Sequence, residues 1–193
     1  MVREPKLYSY VVDRDTGHAP NPYFRVCTLC RCKFEGRRKN VVQLAEEGDW
    51  IVGTGGANPR KSAGHGKLVY AMRVDEKLTR WEYYADRRFK DKKPSKTGTD
   101  ERTRGDNLRP ANETEKRGQF ALISRHFYYF GANAICLRKR FSTVEKIGRG
   151  FKKCFDSKFI SRFVKWLEKD RKPGKYGEPC QSPEGSGRCK SSC

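Results

Sequence analysis

The acid–base chemistry that this sequence could support rests on two aspartates, Asp49 and Asp106. Either carboxylate could accept or return a proton at a substrate bound beside it. Asp49 also stands where a turn residue is expected, directly after Gly48 and before an apolar run. Asp106 is the stronger candidate because it lies in a short island, residues 105–108, within an otherwise polar stretch. No catalytic triad pattern and no His-Glu-x-x-His motif accompanies them.

A glycine-rich segment, Gly53-Thr54-Gly55-Gly56, could bind a phosphate or a base through its backbone N–H groups. Thr54 would add a hydroxyl donor, and Gly55 would let a ligand approach the backbone closely. The segment lacks the lysine and the spacing of a P-loop, and no strand-loop-helix unit of the Rossmann type surrounds it. The alternative interpretation is a loop that joins two strands.

Amide and aromatic side chains supply the other groups that recognise a base. Asn21 stands between two prolines and presents an amide that matches the hydrogen-bonding edge of a base. The alternative is a turn in which this amide caps the local backbone. Most aromatic rings of a small domain must form its core, but one or two could stack on a base. The aromatic candidates are Trp50, Tyr70 and Tyr129.

The eight cysteines raise the question of metal binding. Cys27, Cys30 and Cys32 include a CxxC pattern, but zinc commonly takes four ligands, and no second CxxC or paired histidine follows nearby. Small buried residues in a strand are the favoured interpretation, so no metal and no cofactor are expected. Because no secretion signal is visible, we expect reduced thiols. Those near the C-terminus should be exposed and reactive, namely Cys180, Cys189 and Cys193.

The chain is strongly basic, with 43 Lys and Arg against 23 Asp and Glu and a formal net charge of +20. This charge exceeds what solubility requires and indicates nucleic acid as a partner, although it does not separate specific readers from general phosphate binders. Half of it lies in residues 138–175, which hold fourteen basic and four acidic residues. A stripe at helical spacing in this segment could follow phosphates, and it consists of Lys158, Arg162, Lys165 and Lys169.

Strands are the main elements that would position these residues. Apolar and alternating runs predict strands at 6–12, 48–54, 67–74, 119–124 and 127–130. A short helix or turn is predicted at 41–47, and a helix at 78–89. The clearest helix begins near Asp156 or Ser157. Its apolar stripe consists of Phe159, Ile160, Phe163, Trp166 and Leu167.

Composition predicts one domain over residues 1–172 and a disordered tail over 173–193, which is rich in Gly, Ser, Pro and Cys. A long basic loop is expected at 90–118, where apolar residues are almost absent. No apolar run reaches the ~20 residues that a transmembrane helix needs, and the N-terminus lacks a signal-peptide core. We therefore expect a cytoplasmic protein without membrane association, with its oligomeric state left open.

An ordered series of short motifs resembles the second type of nucleotide-modification-associated domain. The series runs from about residue 6 to residue 134. Its members are Tyr8-Ser9-Tyr10-Val11-Val12, Ala19-Pro20-Asn21-Pro22, Cys27-Thr28-Leu29, Gly48-Asp49-Trp50-Ile51-Val52-Gly53-Thr54-Gly55, Leu68-Val69-Tyr70-Ala71-Met72, Arg88-Phe89, Lys93-Pro94, Gly105-Asp106-Asn107 and Tyr129-Phe130-Gly131.

The resemblance implies a role in systems that make or handle modified bases in bacterial and phage DNA. It implies no mechanism, and the positions it nominates are Asn21, Thr54, Gly55, Asp106 and Asn107. The Gly-Asp-aromatic turn that enters a strand is also similar, more loosely, to PUA-like domains, which are small β-barrels. We therefore expect an α+β fold: a small, PUA-like, mixed or antiparallel β-barrel with flanking helices and a C-terminal amphipathic basic helix.

Three functions follow from these features. The first is binding or processing of modified DNA bases in a glycine- and aromatic-lined pocket, while the basic stripe holds phosphates. An alternative is a base-modifying enzyme that uses Asp106 or Asp49 as acid or base. A further alternative is a non-catalytic basic accessory protein. In each case nucleic acid is the expected partner, and DNA is favoured over RNA.

Overall fold

A computed structural model describes residues 3–30, 40–93 and 120–181 of the chain. Within these ranges the strands are β1 (Leu7–Val12), β2 (Cys27–Cys30), β3 (Trp50–Gly55), β4 (Lys67–Arg73), β5 (Glu76–Thr79), β6 (Phe120–Ser124), β7 (Phe127–Tyr129), β8 (Ile135–Cys136), β9 (Phe151–Lys152) and β10 (Gly174–Lys175). The α-helices are α1 (Val41–Leu44), α2 (Arg80–Ala85) and α3 (Ser157–Glu168). Short 3-10 helices cover Arg87–Lys92, Gly131–Asn133 and Lys139–Val144.

The strands form two separate sheets. The larger sheet has the order β10-β7-β4-β3-β1-β9, with β8 paired to β4, and the smaller sheet has the order β2-β6-β5. β1 and β3 are parallel, as are β10 and β7, whereas the other pairs are antiparallel. The mixed α+β class is confirmed. The expected barrel is not, because the two-residue edge strands β9 and β10 each pair with a single neighbour and leave the described sheet open.

Three hydrophobic clusters hold the layers together. One lies between the two sheets and joins rings of β1 and β4 to apolar side chains of β2 and β6. A second lies under α3, on the opposite face of the larger sheet. A third packs α2 and the following 3-10 helix on the outer face of the smaller sheet. Because β1, β3 and β4 are covered on both faces, they read as continuous apolar runs rather than as clean alternations.

Helix α3 begins at an N-cap and packs one apolar face on the larger sheet. The carboxylate of Asp156 accepts a hydrogen bond from the backbone N–H of Phe159 at 2.7 Å, which satisfies one of the unpaired donors of the first turn. The buried side chains of the helix are Ile160, Phe163, Trp166 and Leu167. No helix in the described ranges combines the length and the apolar character that crossing a membrane requires.

The helix predicted at 78–89 is shorter than expected and is preceded by a strand. Leu78 pairs with Ala121 in the smaller sheet, so β5 continues to Thr79. Thr79 and Glu82 then form a reciprocal capping box, which starts α2 at Arg80. The helical pattern had included Leu78 and Thr79, but these two residues belong to β5 because they pair with β6.

Residues 173–181 of the predicted tail are ordered in the structure. β10 runs parallel to β7, and the backbone N–H groups of Cys180 and Gln181 donate to Asp15. Cys180 is buried at 6% exposure, so its predicted exposure is wrong. Cys136 and Cys180 each take part in a disulfide, so the prediction of reduced thiols is wrong at both positions. The rest of the tail, including Cys189 and Cys193, and residues 94–118 of the predicted basic loop lie outside the described residues.

Candidate functional site

A cleft of about 270 Å³ opens between α3 and the segment that leads into the 3-10 helix Lys139–Val144. Trp166 lies in it, and it is bordered by five basic side chains and one acidic one. We call this feature the basic cleft, defined by Arg138, Arg140, Arg162, Lys165, Trp166, Lys169 and Asp170.

The helical repeat explains how α3 contributes to the basic cleft. Arg162, Lys165 and Lys169 are separated by three and four residues and therefore share one face. Trp166 lies beside them but is only 8% exposed, because it packs on the second hydrophobic cluster. Of the four residues predicted to contact phosphates, these three cations line the cleft. Lys158 is exposed one turn earlier on the same helix and does not line it.

The opposite wall comes from the chain that follows β8. Arg138 precedes the 3-10 helix, and Arg140 lies within it. The Arg140 guanidinium stands 4.9 Å from the centroid of the Phe141 ring. That ring in turn contacts Phe163 and Trp166 at centroid distances of 5.5 and 5.1 Å. Aromatic packing therefore holds this wall beside α3.

Positive charge in the basic cleft is only partly offset by neighbouring carboxylates. In the parts of the chain that the structure describes, none of the five cations forms an ion pair, although Asp170 lies in the same cleft. Glu168, the acidic residue of α3, instead contacts the His126 ring nitrogen at 2.9 Å. The cleft thus holds a net charge of +4 and attracts anions.

The residues predicted to form a base pocket are buried among other protein groups. This holds for the six that the structure describes, namely Asn21, Trp50, Thr54, Gly55, Tyr70 and Tyr129. The Asn21 amide oxygen accepts a hydrogen bond from the Lys92 ammonium group at 2.6 Å, and the Tyr70 hydroxyl pairs with that of Tyr10 at 2.6 Å. Asn107 lies outside the described residues. The geometry of the six supports packing within the fold rather than an open pocket.

The glycine segment makes a close approach to another part of the protein. A Cβ atom added at Gly55 would lie 1.9 Å from the carbonyl oxygen of Gly64. The Thr54 hydroxyl donates to the carbonyl of Tyr10 and accepts the backbone N–H of Lys146, both at 3.4 Å. Glycine is therefore required here for backbone packing, in agreement with the interpretation of a strand and loop.

Asp49 acts as a turn residue in the structure. Its fully buried carboxylate accepts hydrogen bonds from the Arg3 side chain at 2.8 Å, from the Lys6 backbone at 2.7 Å and from the Glu46 backbone at 3.0 Å. These donors tie the N-terminal segment to the start of β3. A carboxylate with three protein donors and no exposure has no room for a substrate. Asp106, the other acid–base candidate, lies outside the described residues.

The cysteines of β2 point to opposite faces of the smaller sheet. Cys27 belongs to the cluster between the sheets and Cys30 to the cluster on the outer face, so they cannot bind one metal ion together. Burial raises the pKa of the Cys27 thiol to about 12. Among the described residues, His, Cys, Asp and Glu form no group of three that could hold a metal. Cys32 lies outside the described ranges.

The structure reveals one buried titratable pair that the sequence did not indicate. The Tyr129 hydroxyl donates to the Asp15 carboxylate at 2.5 Å, and the backbone N–H of Cys180 donates to its other oxygen at 3.1 Å. Burial raises the pKa of Asp15 to about 6, although these hydrogen bonds oppose the shift. Burial and the adjacent carboxylate raise the pKa of Tyr129 well above its usual value. Both side chains are fully buried, so the pair fastens segments together.

Sequence reasoning missed the two arginines of the opposite wall, Arg138 and Arg140. The sequence shows them as the basic run Arg138-Lys139-Arg140, which was included in the charge count. No helix or strand was predicted at this run, so its position in the fold could not be inferred. The apolar interpretation of Trp166 was correct for its packing, and the same ring also borders the basic cleft.

A family model described as nucleotide modification associated domain 2 matches residues 4–116 and 109–185. The chain belongs to this family. The resemblance predicted from the motif series is confirmed, and the second matched segment contains every residue of the basic cleft. No curated protein gives a significant match to the chain. No solved structure matches it either, so the looser similarity to PUA-like domains is not shown. Membership in the nucleotide modification associated domain 2 family connects the protein with nucleotide modification.

Proposed function

We propose that this protein holds the sugar–phosphate backbone of a nucleic acid in the basic cleft while modified bases are bound or processed. One observation carries the proposal: five cations that form no ion pair within the described part of the chain line a single cleft together with Trp166. The family gives the ligand class, since nucleotides and their polymers carry phosphates. DNA is the expected polymer because the motif series resembles domains from systems that modify DNA bases.

The basic side chains of the cleft suit phosphate in two ways. Arg138, Arg140 and Arg162 carry planar guanidinium groups that can donate two parallel hydrogen bonds to a phosphate. Lys165 and Lys169 add point charges along the helix. Asp170 repels anions and so restricts phosphates to the part of the cleft that the cations border. This arrangement recognises backbone and not sequence.

The test is a binding titration at several salt concentrations. We expect Arg162→Gln/Lys165→Gln to weaken binding to a DNA duplex about 10- to 30-fold at 0.15 M salt and to lower the slope of log K against log salt by about 2. Arg60→Gln/Lys61→Gln removes the same two residue types from an exposed loop elsewhere and should leave both quantities nearly unchanged. Equal effects of the two double variants would overturn the placement of the site.

A base-modifying enzyme is the alternative, and it now depends on Asp106 because Asp49 is enclosed by protein donors. Mass spectrometry of DNA and nucleotides after incubation with the protein distinguishes the two functions. A new product that Asp106→Asn abolishes would establish an enzyme. Unchanged substrates together with DNA binding would support a reader, or an accessory protein if modified and unmodified DNA bind equally well.

A further inference from the structure

A second cleft, of about 760 Å³, is bordered by β9, the segment that follows it and the first turn of α3. Three phenylalanine rings form its apolar part, and all three are partly exposed. We call it the aromatic cleft, defined by Thr143, Phe151, Lys152, Lys153, Cys154, Phe155, Asp156 and Phe159. Its volume lies within the range of small-molecule sites.

Its rings are held in place by packing on one another and on the core. Phe155 and Phe159 are stacked, with centroids 5.4 Å apart and an angle of 19° between their planes. Phe159 meets Phe141 edge-on at 6.0 Å, and Phe151 contacts Tyr8 at 6.0 Å. Fixed and partly exposed rings offer a platform for a flat ligand at little entropic cost.

The charged residues that line the aromatic cleft nearly balance one another. Lys152 and Lys153 are exposed at the edge, and the Lys152 ammonium donates to the carbonyls of Thr143 and Glu145. The carboxylate of Asp156 lines the same cleft, held by its capping bond to Phe159. With two lysines and one carboxylate the lining is close to neutral, and its three rings make an uncharged planar group the best-fitting occupant.

The two clefts share the elements that form them. α3 contributes Phe159 to the aromatic cleft and Trp166 to the basic cleft, seven residues or ~10.5 Å further along the helix. The 3-10 helix Lys139–Val144 contributes Arg140 to one and Thr143 to the other. The separation corresponds to about three phosphate steps at the ~3.4 Å per strand of B-DNA, and to fewer in a more extended single strand.

We infer that the aromatic cleft receives an unstacked base of a single-stranded nucleic acid whose phosphates occupy the basic cleft. The inference rests on the proposed function and adds the substrate class and a separate base site. Bases of an intact duplex are stacked on their neighbours and do not reach such rings, whereas single strands present them to aromatic side chains.

The test compares a twelve-nucleotide thymidine strand with an abasic strand of the same length, which has the same phosphates and no bases. The wild-type protein should bind the thymidine strand at least fivefold more tightly. Phe155→Leu should remove most of this preference while changing affinity for the abasic strand less than twofold. Trp81→Leu, which removes an exposed ring on α2, should keep the preference.

A second readout uses Cys154, the exposed free thiol of the aromatic cleft. Its alkylation, located by peptide mass spectrometry in the wild-type protein, should be slowed more by the thymidine strand than by the abasic one. Equal affinity for the two strands, or a preference that Phe155→Leu retains, would overturn the inference while leaving phosphate binding intact. Failure to bind either strand while the DNA duplex is still bound would overturn the inference alone, and failure to bind all three would overturn the proposed function as well.

Discussion

At the scale of single residues, the polar groups that resembled a binding site are used to build the fold. The Lys92 ammonium group is fully enclosed and donates to the amide oxygen of Asn21 and to the carbonyls of Tyr23 and Val26. Asp15, in the loop after β1, accepts hydrogen bonds from the Tyr129 hydroxyl of β7 and from the backbone N–H of Cys180, and so joins the C-terminal segment to that loop. Polar groups of this kind can be buried because each one forms hydrogen bonds. Removing one partner leaves the other buried without a hydrogen bond, which lowers the free energy of unfolding.

Asp15 should make stability depend on pH. Its pKa is about 6 in the folded protein and near 3.8 when unfolded, so ionisation between these values favours the unfolded chain. The contribution is therefore fully present below pH 3.8 and is lost as pH rises through 6, by up to about 3 kcal/mol. In urea unfolding from pH 4 to 7, the stability of wild type relative to Asp15→Asn should fall by up to this amount. The exposed neighbour variant Asp13→Asn should follow the wild-type profile, and a flat difference for Asp15→Asn would contradict the assignment.

Gly55→Ala should destabilise the protein strongly. The new methyl group would meet the Gly64 carbonyl at 1.9 Å, and backbone cannot move aside as a flexible side chain can. We expect a loss of about 3 kcal/mol in the free energy of unfolding. Gly56→Ala, where the nearest atom is 3.3 Å away, should cost under about 1 kcal/mol. Equal losses in the free energy of unfolding for the two substitutions would contradict the close approach of Gly55 to the Gly64 carbonyl.

The sequence could predict the basic stripe, but it could not predict that Asn21 is buried with Lys92 as its partner. Arg162, Lys165 and Lys169 share a face because of the local helical period, which any short window displays. Asn21 looked available because its partner, Lys92, comes 71 residues later in the chain. Arg138 likewise joins the cleft only through tertiary packing. Whether an amide binds a ligand or supports the fold depends on its contacts with distant segments. The spacing of residues along the sequence does not show those contacts.

At the scale of elements, α3 links the core to both clefts. Its buried face packs on the larger sheet, its basic face borders one cleft, and its first turn borders the other. The contact of Glu168 with His126 ties the end of the helix to the turn between β6 and β7. A displacement of α3 would therefore alter both clefts together.

The N-cap of α3 should contribute measurably to the free energy of unfolding. Asp156→Ala removes the acceptor for the Phe159 backbone N–H and should lower the free energy of unfolding by about 1 kcal/mol. Asp156→Asn keeps an oxygen acceptor and should lose much less. Chemical denaturation of the two variants checks this, and an equal loss in both would indicate that charge rather than capping matters.

At the scale of the whole molecule, charge is segregated to one part of the chain. Residues 138–175 carry half of the formal charge of +20, and they contribute every residue of both clefts and the helix α3, which packs on one face of the larger sheet. The opposite side is occupied by the smaller sheet and α2. This concentration of positive charge along one segment suits an extended anionic ligand.

The sequence predicted most strands of this architecture but not their arrangement. Strand segments such as 6–12 and 67–74 were predicted close to their observed bounds because apolar runs mark them locally. Whether strands close into a barrel depends on edges such as β9 and β10, which are two residues long and have no pattern to recognise. The split of 119–130 between two sheets similarly depends on distant partners.

The most direct test of the central claim is a lysine footprint on the protein with bound DNA. Lysines are acetylated with and without a saturating DNA strand, and their rates are read by mass spectrometry. Lys165 and Lys169 should be protected at least severalfold, while Lys6 and Lys61, exposed elsewhere, should react as in the free protein. Bound DNA with unprotected Lys165 and Lys169 would contradict the assignment of the basic cleft as the phosphate site.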